Sequence, residues 1–521
     1  MLGRAWRHLP ARQRGAALLI LLALIIPVLI YALVAGLQRS SGDLARAQDA
    51  KTYAALAQAK EALIAYAVTY ADDPTHTNRV PGYLPCPDLG PASIVDEGVT
   101  APSCGNSLVS SIGRLPWRTL GLEAPKDGSR ECLWYAVSGT YKHSPNGVST
   151  STTTSNMMNW DTNGQLRVMD ADGSTYLAGS ASDPSANAVA VIFAPGKALS
   201  GQDRTAASGT TNCGGNYTAT AYLETANGIN NSALASPSSP ALVTDYNSFI
   251  AGTGSDTFND KLVYITRADL WNAIKRRSDF SNHLRALTRR AAECTAMFGT
   301  HNSGGLSRKH LPWARDVSLS TSSIPTYAVD SRYNDTDNLL SGRLSYRVNS
   351  ARSDTNNDLD DYNSNDYLFS SDSYCVYTAE QQAWYDNWKD QLFYAVANNF
   401  KPSAWPTSTS CGTCLTINGG GPYAALVIFA GEKLSDLNQN RYTATYKGAI
   451  ANYLEGSNTV SNTGSSNYQA AAASTTFNDI IYAINSDLTI SCSDDTGVMR
   501  SAPAAAAAPP GNPSAYATCS P

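Results

Sequence analysis

The chain has 521 residues, a length that fits two to four ordinary domains. Charged residues make up 16% and hydrophobic residues 43%, which excludes a globally disordered chain, and the net charge of −5 disfavours a generally basic nucleic-acid binder. Tyr outnumbers Phe by 28 to 10 alongside much Ser, Thr, Asn and Gly, an uncharged polar composition suited to exposure outside the cell. The ten cysteines are even in number and all lie beyond residue 85, which points to a compartment that permits disulfides.

Up to Gly15 the chain carries Arg4, Arg7, Arg12 and Arg14 and no acid. Residues 16–37 then carry no charge. At about 1.5 Å rise per residue this stretch makes a helix of roughly 33 Å, enough to span a bilayer. The basic flank keeps the first residues cytoplasmic and sends the rest outward. The apolar run exceeds the roughly 7–15 residues of a signal-peptide core and leads on into further helical pattern instead of a cleavage site. Pro27 kinks the apolar half, because it lacks an N–H and clashes with the preceding turn. From Asp43 to Tyr70 an apolar stripe recurs at Leu56, Ala59, Leu63, Tyr66 and Tyr70, one face of an amphipathic helix. Asp72, Asp73 and Pro74 end it. The spacing predicts one helix over 16–72, membrane-spanning over 16–37.

Arg12-Gln13-Arg14-Gly15 before Ala16-Ala17-Leu18-Leu19, with this long helix and the following PGYLPCPD, resembles the N-terminus of type IV pilins and type II secretion pseudopilins. The resemblance implies cleavage by a prepilin peptidase between Gly15 and Ala16, then methylation of the Ala16 amine. It also implies a segment, including Ala16, Leu19, Ile20, Leu22, Ile26, Pro27, Ile30 and Leu33, that anchors the subunit in the inner membrane and later packs in a filament core. Most of the family has glutamate at the fifth mature position, and here that residue is Ile20. A subunit without this carboxylate resembles minor, tip-type members.

The rest of the chain holds an internal duplication. The first copy runs LPCPD (84–88), GRLPWR (113–118), LWYAV (133–137), AVIFAPGKALS (190–200), YLE (222–224) and FNDKLVYI (258–265). The second runs LPWAR (311–315), GRLSYR (342–347), LFYAV (392–396), LVIFAGEKLS (426–435), YLE (453–455) and FNDIIYAI (477–484). The predicted fold is α+β, with two tandem pilin-like units over 73–266 and 267–492, each a helix packed on an antiparallel sheet and rich in loops. The second unit begins with a helix over about 268–298, and 493–521 reads as a low-complexity tail.

Little in the sequence carries catalytic chemistry. The six histidines form no HxxxH or HExxH pair. Gly196-Lys197 lacks the upstream glycine and following Ser or Thr of a phosphate loop, and reads as a turn after a strand. Cys411-x-x-Cys414 has no second CxxC and reads as a small-loop or separate structural bridge in place of a redox or zinc pair. Candidate bridges join Cys86 to Cys104, Cys492 to Cys519, Cys132 to Cys213 and Cys294 to Cys375, although connectivity does not follow from sequence. Asp354, Asn356, Asp358 and Asp360 alternate on one loop and are candidate Ca²⁺ ligands, against an acidic solvated loop; Asp170-Ala171-Asp172-Gly173 is a weaker candidate. Lys275, Arg276, Arg277, Arg285, Arg289 and Arg290 cluster on the inter-unit helix and read as a solvated or salt-bridged face in preference to a DNA surface.

The expected function is non-enzymatic: a minor pilin or pseudopilin at or near a filament tip, whose partners are other pilin subunits, the prepilin peptidase and a surface or receptor ligand. The alternative is a membrane-anchored extracellular binding protein outside any filament.

Overall fold

The computed structural model describes residues 43–90, 96–106, 109–142, 151, 157–207, 209–234, 247–300, 311–321, 323–347, 375–402, 414–459, 467–502 and Cys519. The processing site Gly15–Ala16, the apolar segment 16–37, the calcium candidates Asp354 to Asp360 and Cys411 lie outside these residues. Among the described residues no helix is long and apolar enough to cross a membrane.

Helix α1 occupies 43–69 and closes in a 3-10 turn, Tyr70–Asp72. Leu56, Ala59, Leu63 and Tyr70 of the expected stripe are essentially inaccessible, but Tyr66 is only half-buried and Ala67 takes its place on the buried face, a 3-4-4-3 spacing. Residues 43–51 carry exposed side chains, with Asp49 paired to Lys261 and the Gln48 carbonyl lying against Gly128. Thr52 is the first buried residue.

The first sheet comprises β1 Ser111–Arg114, β2 Trp134–Val137, β3 Leu166–Asp170, β4 Tyr176–Ala178, β5 Ala188–Ala194, β8 Asn247–Ala251 and β9 Lys261–Thr266. A small ribbon, β6 Thr225–Ala226 with β7 Ile229–Asn230, stands apart. At the centre β1, β2, β5 and β9 run antiparallel, with Tyr135 opposite Ile192 and Val191 opposite Tyr264. Successive side chains point to opposite faces. Tyr135, Val137, Ala190 and Ile192 meet α1, whereas Trp134, Ala136, Val191 and Phe193 form a second core under Tyr222, Leu223 and Phe249. Burial on both faces is why these strands read as unbroken apolar runs.

The connecting segment forms two helices, α2 Arg267–Ile274 and α3 Phe280–Thr300, in place of the single helix expected over 268–298. Thr266 starts α2 with a capping box closed by Asp269. The break at 275–279 follows from Arg277, whose guanidinium binds Asp279, Asp72 and the Val68 carbonyl.

The second sheet contains β10 Ser341–Arg343, β11 Leu392–Val396, β12 Leu415–Ile417, β13 Gly420–Phe429, β14 Asn467–Tyr468, β15 Ile480–Asn485, β16 Ile490–Ser493 and β17 Met499–Ser501. Two further helices are α4 Ala379–Trp388 and α5 Ala444–Lys447. The antiparallel order β10-β11-β13-β15 repeats β1-β2-β5-β9 block for block, and α3 lies against β13 and β15. The sheets are not purely antiparallel: β3 pairs β8, and β12 pairs β14, in parallel. The second sheet also runs past residue 492. Asp494 accepts from the Thr496 and Val498 N–H groups and Gly497 takes a positive φ of 83°, so a tight turn brings β17 back on β16 inside the expected tail.

One apolar core runs through both units, from Leu56 and Leu63 by way of Trp271 and Phe280 to Trp388 and Ile484.

Candidate functional site

Four disulfides join Cys86 to Cys104, Cys132 to Cys213, Cys294 to Cys375 and Cys492 to Cys519. They point to an oxidising, extracytoplasmic location. Cys414 is also disulfide-bonded. No group of three or more metal-ligating side chains occurs among the described residues. Asp172 spends its carboxylate on Ser174 and Thr175, closing the turn between β3 and β4. Gly196 ends β5 in a turn at φ 65°, with its N–H on Asp127. The basic residues of the inter-unit helices are mostly spent on acids: Lys275 on Glu432, Arg277 on Asp72 and Asp279, Arg285 on Asp495, and Arg289 and Arg290 on Glu293. Paired in this way, they form a salt-bridged face with little charge left for phosphates.

The repeated blocks build the same polar clamp twice. In the first unit Arg204 donates to the carbonyls of Ala221 and Gly196 and to the Gln202 amide oxygen, and lies 4.6 Å from the Tyr222 ring centre. Gln202 donates to Glu224, which also accepts from the Asn259 N–H. Asp260 accepts from the Glu224 N–H at 2.9 Å and from Asn231 at 3.0 Å. In the second unit Arg441, Gln439, Glu455, Asn478, Asp479, Asn458 and Tyr453 repeat this arrangement. The YLE and FND blocks were legible as repeats. The Gln-x-Arg pair at 202–204 and 439–441 was not singled out, and its matching place between the VIFA and YLE blocks was the available signal. A clamp present in both copies, half-buried at Gln202 and Arg204 and buried at Gln439 and Arg441, is a folding device for long loops.

In each clamp one acid oxygen, Oδ1 of Asp260 and Oδ1 of Asp479, is buried without a donor. Burial and the neighbouring Glu224 carboxylate push the Asp260 pKa well above the carboxylate range; burial and Glu455 do the same to Asp479. A raised folded pKa contributes stability that is complete below the unfolded value of about 3.9 and is lost as pH rises through the folded value. The double variant Asp260→Asn, Asp479→Asn places an amide N–H at each donor-less position. We expect it to gain about 1–3 kcal/mol per site at pH 9 and to flatten the alkaline decline. Urea unfolding at pH 5 and pH 9 measures this; curves that stay parallel to those of the parent would refute it.

Arg114 and Arg343, from the two GRL blocks, are a second buried pair. Arg114 donates to the carbonyls of Gly214 and Asn216, and Arg343 to those of Val317, Asp390 and Lys447. Each gathers the long loop that precedes the YLE block. The covalent reinforcement differs. Cys132–Cys213 ties this loop to the start of β2, whereas the fully buried ion pair Lys447–Asp390 ties its equivalent to the start of β11.

The units meet along a seam that sequence reading did not single out. Segment 157–163 of the first unit inserts beside α4. The Met158 N–H donates to Asn387, Asn159 donates to the Asn387 carbonyl and to Asp390, and Gln391 donates to Asp161. Trp160 stands edge-on to Trp388, with ring centres 4.7 Å apart. One apolar pair in a polar loop, Met157-Met158, with Trp160 beyond Asn159, was the available clue.

At this seam, beside the C-terminal end of α1, lies a cavity of about 250 Å³. Its lining includes Asp72 and Arg79 after α1, Arg277, Asp279 and His283 around the start of α3, and Glu380 and Trp384 of α4. His283 stacks flat on Trp384 at 4.5 Å and stands 3.8 Å from Asp279 and 3.7 Å from Glu380. Burial lowers the His283 pKa and, alone, raises that of Glu380. No family model, curated protein or solved structure matches the chain. The geometry offers a polar cleft between two locked units, and no nucleophile–base–orienter set was found in it.

Proposed function

We propose that the chain is a non-enzymatic minor pilin or pseudopilin that acts at or near the tip of a type IV pilus or related filament, in assembly initiation and in contact with a surface or partner. The observation that carries this reading is the junction at Gly15: Arg12-Gln13-Arg14-Gly15 runs directly into 22 uncharged residues. An α1 that buries an apolar stripe on a mainly antiparallel sheet supports it. The tip position rests on Ile20 at the fifth mature position and on bulk. A subunit with a doubled ectodomain obstructs the next place in a helical stack. On this reading the chain is anchored in the inner membrane with its bulk in the periplasm, and is then carried outward in the filament.

Intact-mass analysis of the mature protein tests the reading. The expected N-terminus is a methylated Ala16, and Gly15→Leu should leave the leader attached. An unprocessed Met1, or a cut well beyond Leu37, would favour a plain membrane-anchored binding protein. Antibody labelling of purified filaments tests the position: label at the ends is expected, and uniform decoration along the shaft contradicts a tip role.

A further inference from the structure

The seam cavity beside the end of α1 is unusual in its charge balance. Three carboxylates, Asp72, Asp279 and Glu380, share the lining with two guanidiniums, Arg79 and Arg277. Arg277 is fully engaged, donating twice to Asp72, twice to Asp279 and once to the Val68 carbonyl. Those two acids are thereby neutralised in place. Glu380 is different. Burial is the sole influence on its acidity, and its one ionisable contact is His283, which burial keeps neutral at pH 7. A partly buried carboxylate without a cation favours a cationic ligand.

The remaining lining selects the rest of such a ligand. Thr77, Asn78, Phe280 and Trp384 also line it, so hydroxyl, amide and aromatic groups stand beside the charged ones. The volume of about 250 Å³ lies below that of drug-sized sites and has room for one sugar ring. The polar lining suits a ring bearing hydroxyls better than an aliphatic lysine stem. We infer that this cavity binds a single amino sugar with a free ammonium group, the ammonium on Glu380 and the ring hydroxyls toward Thr77, Asn78 and Arg79. The site is built by three segments that meet only when the two units are locked together, so it belongs to the whole chain and to neither copy alone. The inference does not depend on filament membership.

Calorimetric titration of the full-length protein in detergent at neutral pH tests it, with glucosamine as the probe and N-acetylglucosamine and Nα-acetyl-lysine amide as comparisons. Glucosamine should bind saturably, and N-acetylglucosamine, whose nitrogen is uncharged, at least about 10-fold more weakly, since a hydrogen bond to a charged group is worth about 1.5–3 kcal/mol. Glu380→Gln, whose folding is checked by its unfolding midpoint, should lower glucosamine affinity by the same factor. On acidification, protonation of His283 supplies Glu380 with an internal counter-charge and protonation of Glu380, which burial favours, removes its own charge, so affinity should fall as pH is lowered. Absence of saturable glucosamine binding, equal binding by N-acetylglucosamine, or unchanged affinity in a folded Glu380→Gln protein would overturn the proposal. Tighter binding of the lysine amide than of glucosamine would overturn the sugar assignment in favour of a peptide side chain.

Discussion

Replacing Cys132 and Cys213 together with alanine is expected to lower the stability of the first unit by about 4 kcal/mol. The bridge spans 81 residues, and a loop of that length gains much freedom in the unfolded chain once it is cut. The loop carries Gln202 and Arg204 of the clamp, and Arg114 holds the chain just beyond Cys213 through the carbonyls of Gly214 and Asn216. These bonds depend on a loop already brought home. A lowered urea midpoint, together with loss of protection at the Asn259 and Asp260 amides in hydrogen exchange, is the expected result. An unchanged midpoint would show that Arg114 and the polar clamp close the loop unaided. Cys86 and Cys104 are separated by only 18 residues, so their removal should cost less by the same entropic argument.

The second unit has no cysteine at the corresponding places, and Lys447→Met should reveal what replaces the bridge. Lys447 and Asp390 are both almost completely buried and paired with each other. Removing the ammonium leaves Asp390 as a buried charge to which Asn159 and Gln391 still donate, which should cost about 3–5 kcal/mol. Burial lowers the Lys447 pKa, but Asp390, Tyr453 and Asp161 outweigh it and the net shift is upward. A lysine raised in this way contributes stability that is complete below its unfolded value of about 10.4, while an unpaired buried Asp390 is relieved by protonation, so the loss should be full at pH 9 and no larger at pH 5. Adding Asp390→Leu should recover part of it, with a coupling of at least about 1 kcal/mol in a double-mutant cycle. Additive losses would show that the pair acts as two independent residues.

The contrast between these loops shows why two copies of one unit drifted so far in sequence yet kept one plan. The strand blocks are constrained on both faces. Trp134 and Tyr135 look into different cores, as the alternation of a strand requires, so neither side tolerates polar residues. Loop closure is constrained only in outcome. A disulfide and a buried ion pair both bring the segment before YLE back to the start of a central strand, β2 or β11.

The helix stripe from Leu56 to Tyr70, the order of the six repeated blocks and the disulfide-permitting setting were legible in the sequence, because each rests on local spacing or composition. The turn at Asp494 and the break at 275–279 were less so. The first makes a hairpin out of an apparent tail, and the second depends on Asp72, about 200 residues away, which draws Arg277 out of the helical run.

By itself, the sequence determined an α+β chain with an arginine-flanked apolar start, a long amphipathic helix and a duplicated unit. Periodicity of 3.6 and 2 residues is written directly in the order of apolar side chains. Only the tertiary structure decided how the basic cluster is spent, why the YLE and FND blocks recur, and where a cleft forms. Those answers rest on partners from distant segments, such as Glu380 beside His283 and Asp390 beside Lys447. A side chain's charge becomes chemistry only when folding sets its neighbours and its exposure to water.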